Sequence, residues 1–290
     1  MLAVELFRYL VSRLSSSHIS LSNFIQHDHS VVATQPKVSI IIPTRDRSDL
    51  LRACVGSIRR NTLYENYEIV IVDNGSVEAE TLILLENYRQ DGINVLLYPG
   101  TFNYSAICNF AVAKVSGDFV CLLNNDVEIV SPSWLDAMMK HAVQKETGVV
   151  GGILTYPNGK VQHMGIALGL NGVASHPLRG LDFPRNLDGR CYQVSGVTFA
   201  LALMSRRVLL TSGGLDEGFS VGLNDVDLCL RFHRLGYKNV VCTESWHVHH
   251  ESLSRGNPAK IGNFISTARA VIMFLSKYGF IFDPFFSKDS

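Results

Sequence analysis

The chain has 290 residues, and its 26 basic and 26 acidic side chains give a formal net charge of zero. This length can bury a sizeable core, and the charge balance argues against broad electrostatic capture of nucleic acid. The six cysteines form no CxxC pair. This pattern indicates neither a disulfide framework nor a zinc knuckle, and it favours a reducing compartment. No run of about 18 apolar residues marks a membrane span.

Residues 1–36 read as a segment of their own. Leu6, Leu10 and Leu14 recur at helical spacing and predict an amphipathic helix, which either packs on protein or lies on a membrane surface. The following residues are rich in Ser, His and Gln and predict a linker that ends at Pro36. The charged residues within the apolar start argue against a signal peptide.

Residues 37–126 alternate between buried-strand and helix patterns, which predicts a doubly wound α/β unit with a parallel sheet. Ligands of such sheets bind at the carboxyl ends of the strands, where polar residues follow the apolar runs here. The predicted strands are Val38–Pro43, Tyr67–Asp73, Asn94–Tyr98 and Asp118–Leu123, and the predicted helices cover 49–61, 78–90 and 104–115.

Beyond residue 150, frequent glycines punctuate short apolar pieces and predict hairpins and loops. We therefore divide the rest of the chain at residue 150 and again at 260, into regions 37–150, 151–260 and 261–290. The predicted elements are strands Val194–Met204 and Asn239–Cys242, a helix from Asp225 to Leu235, and a helix over 262–278.

The first candidate cluster is Asn124-Asn125-Asp126, directly after the apolar run FVCLL. A carboxylate at a strand end is well placed to hold Mg²⁺ or Mn²⁺, which prefer oxygen ligands and share them with substrate phosphates. The alternative is an ordinary turn rich in Asn and Asp.

The second cluster surrounds the start of the helix at Asp225. A carboxylate in the first turn beside apolar neighbours can accept a proton from a hydroxyl. Helix capping by Asn224 and Asp225 is the alternative. Asp227 and Arg231 are spaced i,i+4, and we expect them to pair.

The third cluster is WHVHHES, in which His247, His249 and His250 are candidate metal ligands. A surface histidine cluster is the alternative reading. The sequence contains neither a GxGxxG nor a Walker loop, so nicotinamide and P-loop chemistry lose their main support.

Taken together, these stretches resemble family 2 glycosyltransferases of the GT-A fold, a doubly wound, mostly parallel sheet with an appended acceptor-binding region. The similarity covers residues 37–256 and is strongest to the bacterial branch that builds O-antigens, many of which are assigned as rhamnosyltransferases. The matching stretches are VSIIIPTRDRSDLLRACVGSI, YEIVIVDNGS, YPGTFNYSAICNFAVAKVSGDFVCLLNNDVEI, GGLDEGF, NDVDLCLRFHRLGYKNVV and HHESLSRG.

The resemblance implies a role for each matching residue. Asp225 corresponds to the general base, Asp126 and His249 to the ligands of Mn²⁺ or Mg²⁺, and Asn224 and Asp227 to acceptor-binding positions. Loops with His163, His176 and Arg179 would shape the acceptor pocket. The nucleotide-sugar site would comprise Pro43, Thr44, Arg45, Asp46, Asp73, Asn74, Gly75, Asn103, Tyr104, Asn109, Asn124 and Asn125.

The resemblance predicts an inverting, metal-dependent transfer of a hexose or deoxyhexose from a UDP- or dTDP-sugar to a saccharide or lipid-linked acceptor. We expect the protein in the cytoplasm or peripherally on the inner membrane face, with a fused or partner transferase domain. Asn124 and Asn224 stand where the family usually has acids, which favours the alternative of a catalytically degenerate nucleotide-binding module. A nucleotidyltransferase is disfavoured, because TRDRSD is not a Gly-rich, cationic loop.

Overall fold

The β-branched runs of the first half of the chain form strands, and helices separate them. The computed structural model describes residues 35–169, 173–183, 189–250, 261–279 and 283. In chain order, the described elements of the first half are β1 (Val38–Thr44), α1 (Ser48–Asn61), β2 (Tyr67–Asp73), α2 (Ala79–Gln90), β3 (Asn94–Leu97), α3 (Tyr104–Val112), β4 (Phe119–Leu123), β5 (Val127–Glu128) and α4 (Trp134–Ala142).

The second half contains more strands and fewer helices. Most of its strand pairs are antiparallel, but its two longest strands, β6 and β12, pair in parallel. Its described elements are β6 (Thr147–Thr155), β7 (Val161–His163), β8 (Ala167–Leu168), β9 (Ala174–Ser175), β10 (Cys191–Val194), β11 (Leu201–Ser205), α5 (Arg206–Thr211), α6 (Asn224–Arg234), β12 (Lys238–His249) and α7 (Ile261–Tyr278).

One sheet runs through both halves in the order β10-β12-β6-β11-β4-β1-β2-β3. Strand β1 lies between β2 and β4 and is parallel to both. Strand β11 pairs antiparallel with β4 on one side and with β6 on the other. The carboxyl ends of β1, β2 and β4 therefore lie at the same edge of the sheet.

Helices cover both faces of this sheet, as the doubly wound prediction requires. Helices α1, α2 and α4 pack on one face, where Trp134 is fully buried. Helices α3, α5 and α6 pack on the other face, where Phe232 is fully buried. A third apolar cluster, with Phe219, Val226 and Phe274, joins α6 to α7.

Two strand predictions for the second half are wrong. The predicted strand Val194–Met204 is interrupted: β10 ends at Val194 and β11 begins at Leu201, because Gly196 instead bridges to Ile166. The predicted strand Asn239–Cys242 is too short, since β12 continues to His249 after a register irregularity between Cys242 and Trp246. The buried positions around that irregularity are the polar residues Thr243, Ser245 and His247, so the apolar alternation that marks a strand is missing there.

The sequence patterns also left α4 and β6 unassigned, although both are well buried. The predicted N-terminal helix and nearly all of the linker lie outside the described residues. Within the part of the chain that the structure describes, no helix combines the length and apolar character needed to cross a membrane.

Candidate active site

A cleft of about 180 Å³ opens where the carboxyl ends of the strands meet the start of α6. We call the lining residues after β4 and at the end of β12 the strand wall, and residues 221–225 the helix wall. The lining residues are Tyr104, Asn124, Asp126, His176, Thr198, Phe199, Ala200, Val221, Gly222, Leu223, Asn224, Asp225 and His249.

Asp126 and His249 meet on the strand side of this cleft. His249 Nε2 lies 3.0 Å from Asp126 Oδ1, and both residues are buried. The backbone holds the pair together as well, because His250 N donates to Asp126 O and His249 pairs with Val127 across β12 and β5. The sequence-predicted metal ligands therefore come from distant positions to one point.

The hydrogen bonds of His249 determine its tautomer. Its Nδ1 lies 2.6 Å from Gln162 Oε1, an amide oxygen that can only accept, so Nδ1 carries the proton. The Nε2 atom donates to the Asp126 carboxylate when it is protonated, and offers it a lone pair when the ring is neutral. In the neutral ring, the two facing acceptors at 3.0 Å would be bridged by a cation. Gln162, which no sequence pattern identified, thus orients His249.

Asp225 faces the strand wall from the first turn of α6 and is half-buried. Its Oδ1 accepts from Val226 N, and its own N–H donates to Asn224 Oδ1. Leu223, the residue just before α6, has φ of 60°, a left-handed backbone conformation that is strained for a residue with a Cβ. The chain thus bends sharply into the helix and brings Asn224 and Asp225 to the cleft.

Asp227 lies on another side of α6 and is fully buried, outside the cleft lining. One carboxylate oxygen accepts from Arg231 Nε at 2.9 Å, as the i,i+4 spacing predicts. The other accepts from Lys277 Nζ and Tyr278 OH, each at 2.7 Å. Its partners favour a structural role in docking α7 over the acceptor-binding role expected from the sequence.

A polar network at the ends of β1 and β4 has two separate parts, one formed by Thr44 with Asn125 and the other by Asp46 with the loop after β2. Asn125 Nδ2 donates to Thr44 Oγ1. Asp46 has φ of 57°, and its Oδ1 accepts from the backbone N–H groups of residues 77 and 78. Pro43 is half-buried just before this network, and Arg45 is exposed beside it.

Asp73 and Asn74 end β2 at the same edge. Ser76 donates its backbone N–H and its hydroxyl to Asp73 Oδ1. Asn74 Nδ2 donates to Gly100 O, whereas its Oδ1 is buried without a hydrogen-bond partner. Gly75, with φ of 76°, provides the turn. A buried orphan acceptor beside a buried carboxylate is a feature expected of a ligand site.

Asn103, Tyr104 and Asn109 connect α3 to the loop before α6. Asn103 caps α3 through Ala106 N and donates to Glu217 O. Asn109 exchanges hydrogen bonds with the backbone of Leu215. Of the three, Tyr104 lines the cleft, and its hydroxyl donates to Phe199 O.

Among the three loop residues expected at the acceptor pocket, His176 lines the cleft. Buried His163 lies behind it, with the two Nδ1 atoms 2.9 Å apart. Burial, with the nearby His176 and His249, holds the pKa of His163 well below its usual range. Thr198 N donates to His163 Nε2 over a long 3.4 Å, so the proton of His163 lies on Nδ1. Arg179 donates instead to Tyr156 OH.

Several lining residues carried no sequence signal. Thr198, Phe199 and Ala200 fall inside the strand that was wrongly predicted to be continuous. Val221 and Leu223 are apolar residues of a loop, where neither periodicity nor charge marks them. Gly222, between two such residues, was the one available hint of an unusual backbone.

Comparison with known proteins supports the same interpretation. The model of the family described as Glycosyl transferase family 2 matches residues 39–211. The chain is 42% identical over 231 residues to the uncharacterized protein y4gI of Sinorhizobium fredii, covering 77% of this chain and 25% of that protein. It is 40% identical over 230 residues to the O-antigen biosynthesis protein RfbC of Myxococcus xanthus, covering 76% and 18%. The chain thus spans a quarter or less of these relatives.

Two solved structures share the fold at low sequence identity. They are GalNAc-T7 with UDP, GalNAc and Mn²⁺, and the mannosyltransferase PcManGT from Pyrobaculum calidifontis with GDP-Man and Mn²⁺. The TM-scores are 0.64 and 0.61, at 14% and 15% identity. They cover 81% and 95% of this chain, and 48% and 71% of the other. The predicted fold class, a GT-A arrangement, is confirmed.

Proposed function

Because the chain belongs to glycosyl transferase family 2, we propose that it transfers a hexose or deoxyhexose from a UDP- or dTDP-sugar to an acceptor hydroxyl, with inversion at the anomeric carbon. The acceptor is a saccharide or lipid-linked saccharide of a cell-surface polysaccharide. The observation that carries this proposal is the cleft itself, which is lined by both the Asp126–His249 pair and Asp225.

In this mechanism Asp225 is the general base. Its carboxylate lines the cleft, and the strained turn at Leu223 together with the bond from Val226 N fixes its direction. The carboxylate accepts the proton as the acceptor hydroxyl attacks. Asn224 and His176, on the same cleft, would hold the acceptor in line with the donor, which supplies much of the rate enhancement.

The nucleotide would lie along the strand ends. Asp73 and Asn74 combine a buried carboxylate with an unpaired buried amide oxygen, which suits hydrogen-bond donors of a base or ribose. Beside them, Asn125 donates to Thr44, and Asp46 separately accepts from the backbone of residues 77 and 78. These bonds would keep the strand-end backbone in place when the nucleotide enters.

The residues on the cleft wall fit a divalent metal. Asp126 and His249 offer an oxygen and a nitrogen donor, and Gln162 holds the His249 Nε2 lone pair towards Asp126. When bound, Mn²⁺ or Mg²⁺ would neutralise charge on the leaving diphosphate.

The relatives suggest the biological setting. RfbC is described as an O-antigen biosynthesis protein, so we place this chain in O-antigen-like synthesis, with rhamnose or a related deoxyhexose as the donor sugar. Lipid-linked acceptors would bring it to the cytoplasmic face of the membrane as a peripheral protein. Its short span relative to the relatives agrees with a fused or partner transferase domain.

Calorimetric titration with UDP, dTDP and GDP, each with and without Mn²⁺, tests the proposal. We expect one nucleotide to bind, and to bind more tightly when Mn²⁺ is present. Absence of binding by any of the three to folded protein would contradict the donor site. Binding that is identical with and without Mn²⁺ would contradict the metal assignment alone.

A degenerate nucleotide-binding module is the second candidate, and Asn124 is the observation that favours it. Asn124 lines the cleft where the family usually has an acid, so the site holds one negative charge fewer. Such a module would bind the nucleotide without releasing sugar to any acceptor or to water. Slow hydrolysis of the nucleotide-sugar that binds would therefore support the transferase, and its absence would support the degenerate module.

A further inference from the structure

Outside the cleft, two cysteines face each other at the edge of the sheet. Edge strand β10 pairs antiparallel with β12, and Cys191 lies directly opposite Cys242. The two thiols are close enough to hydrogen-bond. Residues 191 and 242 are far apart in sequence, and only the strand pairing brings them together.

A third donor completes the group. His141, in the last turn of α4, places a ring nitrogen near both sulfurs, so that the three donor atoms all lie within 4.8 Å of one another. Among the described residues, this is the one cluster of three histidine, cysteine or acidic side chains that could hold a metal. Tetrahedral zinc with sulfur at about 2.3 Å and nitrogen at about 2.0 Å places its ligands roughly 3.5–3.8 Å apart. Small side-chain rotations would close that gap.

The charges around the group also bear on a cation. Glu244 adds a negative potential at all three groups, whereas Lys140 opposes it at His141 and Cys191.

Access and position point to a structural role. Cys242 is buried, but His141 and Cys191 are half-exposed, so an ion can enter from solvent. Cys242 belongs to the apolar layer beneath α1, α2 and α4, on the face opposite α6. None of the three residues lines the cleft. An ion here would tie β10 and α4 to β12 without touching the transferase site.

We propose that His141, Cys191 and Cys242 form a binding site for a thiophilic divalent cation such as Zn²⁺. The chemistry is two sulfurs and one nitrogen, with a fourth position for water or the Glu244 carboxylate. The ion would stabilise the folded chain by binding it and not the unfolded chain.

The experiment uses the reduced, chelator-treated full chain and adds Co²⁺ or Zn²⁺. Co²⁺ bound by thiolate gives a near-ultraviolet sulfur-to-metal absorption band, which Asp126 and His249 cannot produce. We expect this band in the parent protein, its loss in Cys191→Ser, and about tenfold or greater weakening in His141→Gln. Zn²⁺ at 100 times the Kd of the parent protein should raise the Tm by about 5 °C. Cys191→Ser should abolish this shift, and His141→Gln should reduce it to about half or less.

Matched controls keep the result specific. His233→Gln removes a histidine from the last turn of another helix, α6, and Cys108→Ser removes a buried cysteine of α3. Both should keep the band and the Zn²⁺-induced shift, even if Cys108→Ser lowers the starting Tm. Absence of the band in the parent protein, or its survival in Cys191→Ser, would overturn the proposal. So would a Cys191–Cys242 disulfide that peptide mapping under non-reducing conditions finds in the purified protein.

Discussion

The two walls of the cleft are built in different ways. On the strand wall, Asp126 and His249 lie next to paired strands, and the register of β5 and β12 fixes where they meet. On the helix wall, Asp225 depends on a strained turn at Leu223 and on how α6 docks against α7. Strand pairing fixes the positions of the residues in the strand wall, whereas a few long-range side-chain contacts fix those in the helix wall. We therefore expect mutations to uncouple binding from catalysis according to the wall that they alter.

The largest effect should come from Asp225→Asn. This change keeps the shape of the side chain but removes its ability to take a proton, so transfer should fall by about 10³-fold or more. Nucleotide binding belongs to the strand wall and should be nearly unchanged in calorimetry. The control is Asp216→Asn, outside the cleft lining. Near-normal turnover of Asp225→Asn would disprove the assignment of the base.

Asp227→Asn should affect stability more than chemistry. Asp227 is fully buried with Arg231, Lys277 and Tyr278, and neutralising it leaves cationic partners without their counter-ion. We expect a loss of about 3 kcal/mol in the free energy of unfolding. Denaturant titration measures this loss. Asp216→Asn is the comparison, because Asp216 is a more exposed partner of Lys277 and its replacement should cost less than about 1 kcal/mol. Equal losses in the two variants would refute the distinction.

His249→Gln should weaken binding at the strand wall and leave the helix wall unchanged. Loss of the imidazole donor should reduce Mn²⁺-dependent nucleotide affinity by about 30-fold, in the range found for groups that support metal sites. His250→Gln is the matched control, since His250 is adjacent but bonds to Glu128. Calorimetry with Mn²⁺ distinguishes them, and a greater loss in His250→Gln would move the ligand assignment by one residue.

The smallest expected effect concerns alkaline pH. Burial and Asp227 raise the pKa of Tyr278 to about 12. Burial alone would lower the pKa of Lys277, but hydrogen bonds to Asp216 and Asp227 raise it. Both groups hold a proton more tightly in the folded chain, so their stabilisation is complete below pH about 10 and is lost as the pH rises towards 12.

Tyr278→Phe tests this dependence. The variant should be about 1 kcal/mol less stable at pH 8, because it loses one hydrogen bond to a buried carboxylate. It should then lose less stability than the parent protein between pH 9 and 11. Equilibrium unfolding across that range gives both numbers. Parallel curves for parent and variant would show that Tyr278 does not contribute to the pH dependence.

The sequence predicts the strand wall better than the helix wall for a physical reason. Buried parallel strands are apolar runs, and their polar carboxyl-terminal residues meet at one edge whatever the loops do, which made Asp73 and Asp126 predictable. Gln162 and Leu223 were not predictable, since their roles depend on contacts with distant residues or on one backbone angle. Likewise, no spacing rule relates Cys191 to Cys242, because a strand pairing brings them together.

The antiparallel pairing of β4 with β11 has a consequence for motion. It joins the strands of the first half to those of the second half in one hydrogen-bonded sheet, so the two halves of the sheet cannot swing apart about a hinge without breaking that ladder. Opening and closing of the cleft must therefore come from the backbone between elements, such as residues 196–200 and 213–223. Substrate entry would then be a matter of loop rearrangement on a rigid platform.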